Sequence, residues 1–222
     1  KGLEPLAMYL WAQQPAAEPL ASYALSFVNP ELEVADADQA LEGARHIVAE
    51  MISEDAELRK ALRRVMFEEG VIVSKKMMDA VDEQEKFKMY YDYKEPVKTI
   101  PSHRMLAIRR GESENVLYFL IEVEPERATG ILRRHVLREN GDWTPQLELA
   151  IEDAWKRLLN SSIQGEIRLE LKRRSDTEAI QVFRDNLYNV LLAAPAGPIS
   201  VLGIDPGLRT GVKVAVIDAT GK

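Results

Sequence analysis

The residue best placed to do chemistry in this chain is Asp205. It ends the apolar run Val201-Leu202-Gly203-Ile204 and stands directly before Pro206-Gly207. After Leu208-Arg209-Thr210-Gly211 a second apolar run, Val212 to Ile217, follows, with Lys213 inside it. Two apolar runs about a Pro-Gly turn read as a β-hairpin, with one carboxylate at a strand end beside backbone that only glycine can bring close. A carboxylate there suits a magnesium ion and a phosphate, because hard cations take oxygen ligands. Asp205 is therefore the candidate metal ligand and catalytic group. Asp, Pro and Gly also favour turns for conformational reasons alone, so an ordinary hairpin is the competing reading.

The candidate nucleic-acid contacts are cationic. Arg168, Lys172, Arg173 and Arg174 form the most basic stretch, interleaved with Glu166 and Glu170. Such a run is either a phosphate-contacting patch or the solvated face of a helix, and the second is the simpler reading. Lys75 and Lys76 follow Ser74, which could cap a helix over residues 74–91; with a helix before Gly70 this gives helix-turn-helix spacing at 54–91. A base-reading helix should open with Arg, Asn or Gln, and two lysines favour a plain helical hairpin. Tyr90, Tyr91 and Tyr93 could stack bases, but tyrosines more often pack a ring edge inward and leave the hydroxyl wet. His103 has no neighbour at metal-ligand spacing.

These residues need elements to hold them, and apolar periodicity supplies most. Helices are predicted over residues 1–13 (Leu3, Leu6, Leu10 and Trp11 on one side), with Pro15 and Pro19 interrupting, and over 38–52 (Leu41, Ala44, Ile47, Val48 and Met51). Residues 23–30 read as irregular. Ser53 reads as the N-cap of a helix bearing Leu58, Leu62, Val65 and Met66 and closed by Gly70. A short helix is expected from Ser102 to Arg110, closed by Gly111. The apolar run 116–123 is a buried strand or the start of a buried helix. Further helices are expected from Pro125 to about Asn140, from Thr144-Pro145 onward, and from Ser161 to Ala194. Ala193 to Pro198 has the composition of a linker.

Composition bounds the rest. The chain has 222 residues, 46% of them hydrophobic, and no apolar run of membrane-spanning length. Cysteine is absent, which removes disulfides and thiolate zinc sites and fits a reducing cytoplasm. Net charge is −7, all of it in residues 1–100, which carry 12 basic and 19 acidic groups; the remainder carries 17 of each. A dedicated DNA-binding domain is usually basic overall, so nucleic-acid contact must be local or reside elsewhere. The first residue is not methionine, and the chain reads as part of something longer.

Several motifs, in order, carry a family resemblance. Lys1-Gly2-Leu3-Glu4-Pro5-Leu6-Ala7 with Trp11-Ala12-Gln13, then Asp38-Gln39-Ala40-Leu41-Glu42-Gly43-Ala44, Pro101-Ser102-His103-Arg104 and Arg110-Gly111-Glu112 precede the Pro-Ala-Gly-Pro linker and Gly203-Ile204-Asp205-Pro206-Gly207. This set resembles the bacterial transcription accessory proteins of the Tex family, and residues 199–218 resemble the opening strands of a YqgF/RuvC-like domain of RNase H fold. The resemblance implies a mainly α fold: a multi-helical region with a helix-turn-helix-like part over residues 1–194, a linker at 195–198, and the first β-hairpin of an RNase H-like α/β domain at 199–222. It implies a cytoplasmic factor acting on transcription and RNA, with nucleic acid held mainly by an S1 domain outside this chain and the transcription machinery or RNA polymerase as a further partner. In the nuclease reading Asp205 would be one carboxylate of a Mg2+-dependent two-metal centre whose other members lie beyond this chain; no cofactor is expected in this region itself. A lone hairpin is marginal in water, so residues 199–218 are expected to be disordered or to pair with another chain's edge.

Overall fold

In a computed structural model, which describes residues 2–14 and 18–222, the chain is mainly helical with two small antiparallel sheets. Lys1 of the first motif and the Pro15 interruption lie outside the described residues. The chain divides into one unit of residues 1–179 and another of 180–222.

The first unit is built around α3 (Ala37–Glu54). Ala40, Leu41, Ala44, Val48, Ala49 and Ile52 recur at three- and four-residue steps and are buried. Alanine at half of these positions lets neighbours approach closely. Helices α1 (Glu4–Ala12), α2 (Leu20–Leu25) and α7 (Thr144–Asp153) pack on it. Its start is capped by Asp36, whose carboxylate accepts from the Gln39 amide at 2.8 Å, while the Gln39 side chain accepts from the Ala35 amide. Helix α2 occupies part of the stretch expected to be irregular. Its first amide, Leu20 N, donates to Asp142 at 2.8 Å, a cap from 122 residues away that no local pattern carries.

The break between α3 and α4 (Ala56–Glu69) falls at Asp55, not Ser53. The Ser53 hydroxyl turns back to the Glu50 carbonyl, and Asp55 accepts from the Leu58 amide at 2.9 Å. Gly70 does close α4: a Cβ there would stand 2.1 Å from the Met66 carbonyl oxygen.

The helix expected over 74–91 is absent, and with it the helix-turn-helix at 54–91. Val71–Lys76 is strand β1, paired antiparallel with β2 (Asp92–Pro96) on one side and β3 (Leu117–Glu122) on the other. Three β-branched residues, Val71-Ile72-Val73, suit a pleated surface, and Ile72 and Val73 are buried. Met77, Met78 and Val81 mimic helical spacing but are exposed. The connection is fixed by Asp82, which accepts from the amides of Lys86 and Phe87 and from the Tyr91 hydroxyl. Residues 116–123 resolve to the strand reading, as β3.

Helix α5 (Ser102–Ser113) runs through Gly111 rather than stopping there; that glycine is buried so close to β3 that a Cβ would meet Leu117 Cδ1 at 2.5 Å. Helix α6 (Pro125–Val136) ends four residues before Asn140. The turns 154–159 widen to π geometry before α8 (Asn160–Leu191).

The second unit contains β4 (Val201–Pro206) and β5 (Val212–Ile217), paired to each other from Val201↔Ile217 to Pro206↔Val212. Where disorder or pairing with another chain was expected, the two strands form their own hairpin. Gly211, at φ +83°, supplies the left-handed turn residue, and Gly207 donates its amide to the Gly211 carbonyl at 3.0 Å. Within this unit every side chain is exposed.

Candidate functional site

Asp205 sits at the end of β4, directly opposite Lys213 of β5, whose Nζ is 4.0 Å from its carboxylate. Both side chains are more than three-quarters exposed. Among the described residues no group of three His, Asp or Glu side chains could hold a metal ion. One exposed carboxylate facing an ammonium does not fit a two-metal centre, which needs several converging oxygen ligands.

The basic stretch of α8 points in several directions, and three of its four cations are engaged within the protein. Arg168 Nη1 donates to the Phe119 carbonyl at 2.7 Å, its guanidinium lies 3.9 Å from the Phe119 ring centroid, and it pairs with Glu112. Together with Gln164, which accepts from Ile121 N at 2.9 Å, it satisfies the outer edge of β3, groups that would otherwise invite another strand. Arg174 donates to the carbonyl of Ile100 at 2.9 Å, and Lys172 pairs with Asp176 one turn on. Only Arg173 is exposed without an ion-pair or hydrogen-bond partner among the described residues. The sequence brings these four together by number; the fold separates their tasks.

Lys75 and Lys76 lie on β1, not at a helix start. Lys75 stands opposite Asp92, and Lys76 Nζ is 4.8 Å from the Tyr91 ring. Tyr90 and Tyr93 meet edge to face at 5.3 Å and pack against the core. The Tyr93 hydroxyl donates to Glu95, which also holds Arg104 at 2.8 Å. Burial, together with the neighbouring carboxylates, raises the pKa values of Tyr91 and Tyr93, and both hydroxyls are used as donors within the protein, to Asp82 and Glu95.

The polar residues that hold this region together were mostly invisible in the sequence. Gln13, buried at the end of α1, donates to the Val136 carbonyl at 2.7 Å and accepts from Arg138 N at 2.9 Å. Glu166 on α8 receives both Arg59 and Arg63 from α4. Burial works against its charge, but the hydrogen bonds from the two guanidiniums prevail and lower its pKa. The four-residue step from Arg59 to Arg63 was the available signal, since it places both on one helix face.

Arg168, Lys172 and Arg174 are thus engaged by the protein's own backbone and carboxylates. The Tex central region-like family matches residues 14–183, and the chain belongs to it. Over its full length the chain is 40% identical to Protein tex of Bordetella pertussis and 40% identical to the transcriptional accessory protein Tex of Neisseria gonorrhoeae, covering 30% of each. It is 26% identical, over 89% of its length, to 21% of the human S1 RNA-binding domain-containing protein 1. The chain thus spans about a third of the length of its curated bacterial relatives. No helix among the described residues is long and apolar enough to cross a membrane.

Proposed function

We propose that this chain is the helical scaffold region of a nucleic-acid-binding transcription accessory factor in the cytoplasm, and that RNA or DNA is gripped mainly by other parts of the protein. The observation that carries this reading is the engagement of Arg168, Lys172 and Arg174 with the protein itself. A cation that already neutralises a carboxylate or saturates a carbonyl releases few counterions from a phosphate backbone. The net charge of −7 points the same way. The names of the relatives, a transcriptional accessory protein and an S1 RNA-binding domain-containing protein, support a role beside nucleic acid and the transcription machinery.

The hairpin at 201–217 fits the first two strands of an RNase H-like domain, with residues 192–200 as the connection after α8. The alternative nuclease reading would need further carboxylates to converge on Asp205, and no such cluster is present among the described residues.

The test is a fluorescence-anisotropy titration of labelled single-stranded RNA and duplex DNA against this chain and against a version extended to the length of the bacterial relatives. We expect this chain to bind no tighter than about 10 μM at physiological salt, within the non-specific range, and the extended protein to bind more tightly. Submicromolar, salt-sensitive binding by this chain alone would overturn the scaffold reading.

A further inference from the structure

A groove runs between α4 and α8, with a volume of about 690 Å³. At one end Arg59 and Arg63 bridge to Glu166, with Arg63 Nε at 2.6 Å. Beyond that bridge the floor is apolar: Phe67 is half-buried, and Leu169 is 49% exposed. Two cations on its rim, Arg64 and Arg173, are exposed and have no ion-pair or hydrogen-bond partner among the described residues. A third, Lys60, has only Glu57 as a partner among the described residues, at 3.9 Å, with both side chains more than 70% exposed. On the other flank of α4 the cations are already matched, Lys98 to Glu68 and Arg127 to Glu69.

Phe67 and Leu169 form a small apolar strip, and the unmatched cations beside it give it a charge that a complementary partner would satisfy. We propose that this groove docks an amphipathic, acidic segment of another protein, its apolar side chains on Phe67 and Leu169 and its carboxylates against Arg64 and Arg173. The charge pattern selects a peptide over a polyphosphate. Of the carboxylates lining it, Glu68 is neutralised by Lys98 and Glu166 by Arg59 and Arg63, and Glu170 stands without an ion-pair partner among the described residues. The free positive charge is two discrete guanidiniums interrupted by an acid, not a continuous track for phosphates, and a peptide can place single carboxylates at those two points. Helix-in-groove recognition works in this way, apolar anchors giving affinity and flanking charge giving register. The inference rests on the scaffold reading and names the chemistry of its partner.

The probe is a fluorescein-labelled peptide of about 18 residues with leucine at helical i, i+3, i+4 and i+7 spacing and glutamate flanking it. Its controls are the same peptide with lysine in place of glutamate, and a labelled oligouridylate. The 222-residue chain is expected to bind the glutamate peptide measurably and the lysine peptide at least about tenfold more weakly. The double variant Arg64→Glu/Arg173→Glu should lose about tenfold or more for the glutamate peptide, and Leu169→Glu a similar factor, with unchanged circular dichroism. Binding of the glutamate peptide that both variants leave intact would overturn the proposal, as would no binding at all. If the peptide fails while oligouridylate stays weak, only the docking site falls. Submicromolar oligouridylate binding abolished by the double variant would overturn both this inference and the scaffold reading.

Discussion

At the scale of single residues, the same side chain can be read as a ligand contact or as a fastener, and geometry decides between them. Arg168 looks in sequence like the first member of a basic patch. In the fold it joins α8 to β3 through a carbonyl, a carboxylate and an aromatic face at once. Arg168→Ala leaves the Phe119 carbonyl and Glu112 without that donor, and a hydrogen bond involving a charged group contributes about 1.5–3 kcal/mol. We expect Arg168→Ala to lower unfolding free energy by about 2 kcal/mol in urea titrations. Lys172→Ala, which removes an exposed pair one helical turn apart, should change it by less than about 0.5 kcal/mol. Neither should move RNA affinity; a loss of RNA binding in Arg168→Ala with stability intact would return it to the nucleic-acid surface. Gln13 teaches the reverse lesson. It stands within a quoted family motif, and its meaning appears only when α6 ends beside it and its amide takes up both Val136 O and Arg138 N.

At the scale of elements, what was legible followed from period and what was not followed from distance. The spacing of Leu41, Ala44, Ile47, Val48 and Met51 foretold α3 to within a few residues, because one apolar face at that step can only be a helix against a core. The turn at Pro206-Gly207 was legible, since turn chemistry is local, but the expectation that its strands would be disordered or paired elsewhere failed: they close on each other. The stretch 71–96 misled because Ser74 has the chemistry of a helix cap, while partner strands distant in sequence, one before and one after α5, decide the outcome. Pairing across such separations leaves no local period. The α3–α4 break misled for a smaller reason: Ser53 and Asp55 are both good caps, and Ser53 is used inside α3. The Asp55 carboxylate has its pKa lowered, first by the bond from the Leu58 amide and further by His135 at 3.2 Å. Asp55→Ala should therefore cost about 1 kcal/mol of stability, measured by chemical unfolding. Asp55→Asn, which keeps an acceptor at the helix start, should cost less; equal losses would show that the charge toward His135, not the cap, is what matters.

At the scale of the whole molecule, the charges that do not bind partners set how the protein answers to acid. Asp55 and Asp153 both have lowered pKa values, the first chiefly through the Leu58 amide and the second chiefly through Arg157. Glu166 is lowered too, its two arginines outweighing its burial. Glu69 is lowered by Arg127 at an exposed pair. A carboxylate whose pKa is lower folded than unfolded binds fewer protons in the native state, so its contribution is fully present above the unfolded value. That contribution is lost as pH falls from there through the folded value. With unfolded carboxylates titrating near pH 4, these groups act in concert below that point and are silent above about pH 5. Three of them sit at separate contacts: Asp55, at the α3–α4 junction, against His135 of α6, Glu166 between α8 and α4, and Glu69 between α4 and α6; Asp153 acts within the helical turn where α7 passes into the π segment. Protonation therefore loosens several helix contacts together rather than one. The expected outcome is a melting temperature nearly level from about pH 7 to 5 and falling steeply from about pH 4 to 2.5, followed by circular dichroism at 222 nm. The Asp55→Asn variant should melt lower at neutral pH and show a shallower acid limb, since its amide cannot titrate. A melting temperature that stays level down to about pH 2.5 would mean that these ion pairs, though well formed, contribute nothing to holding the helices together.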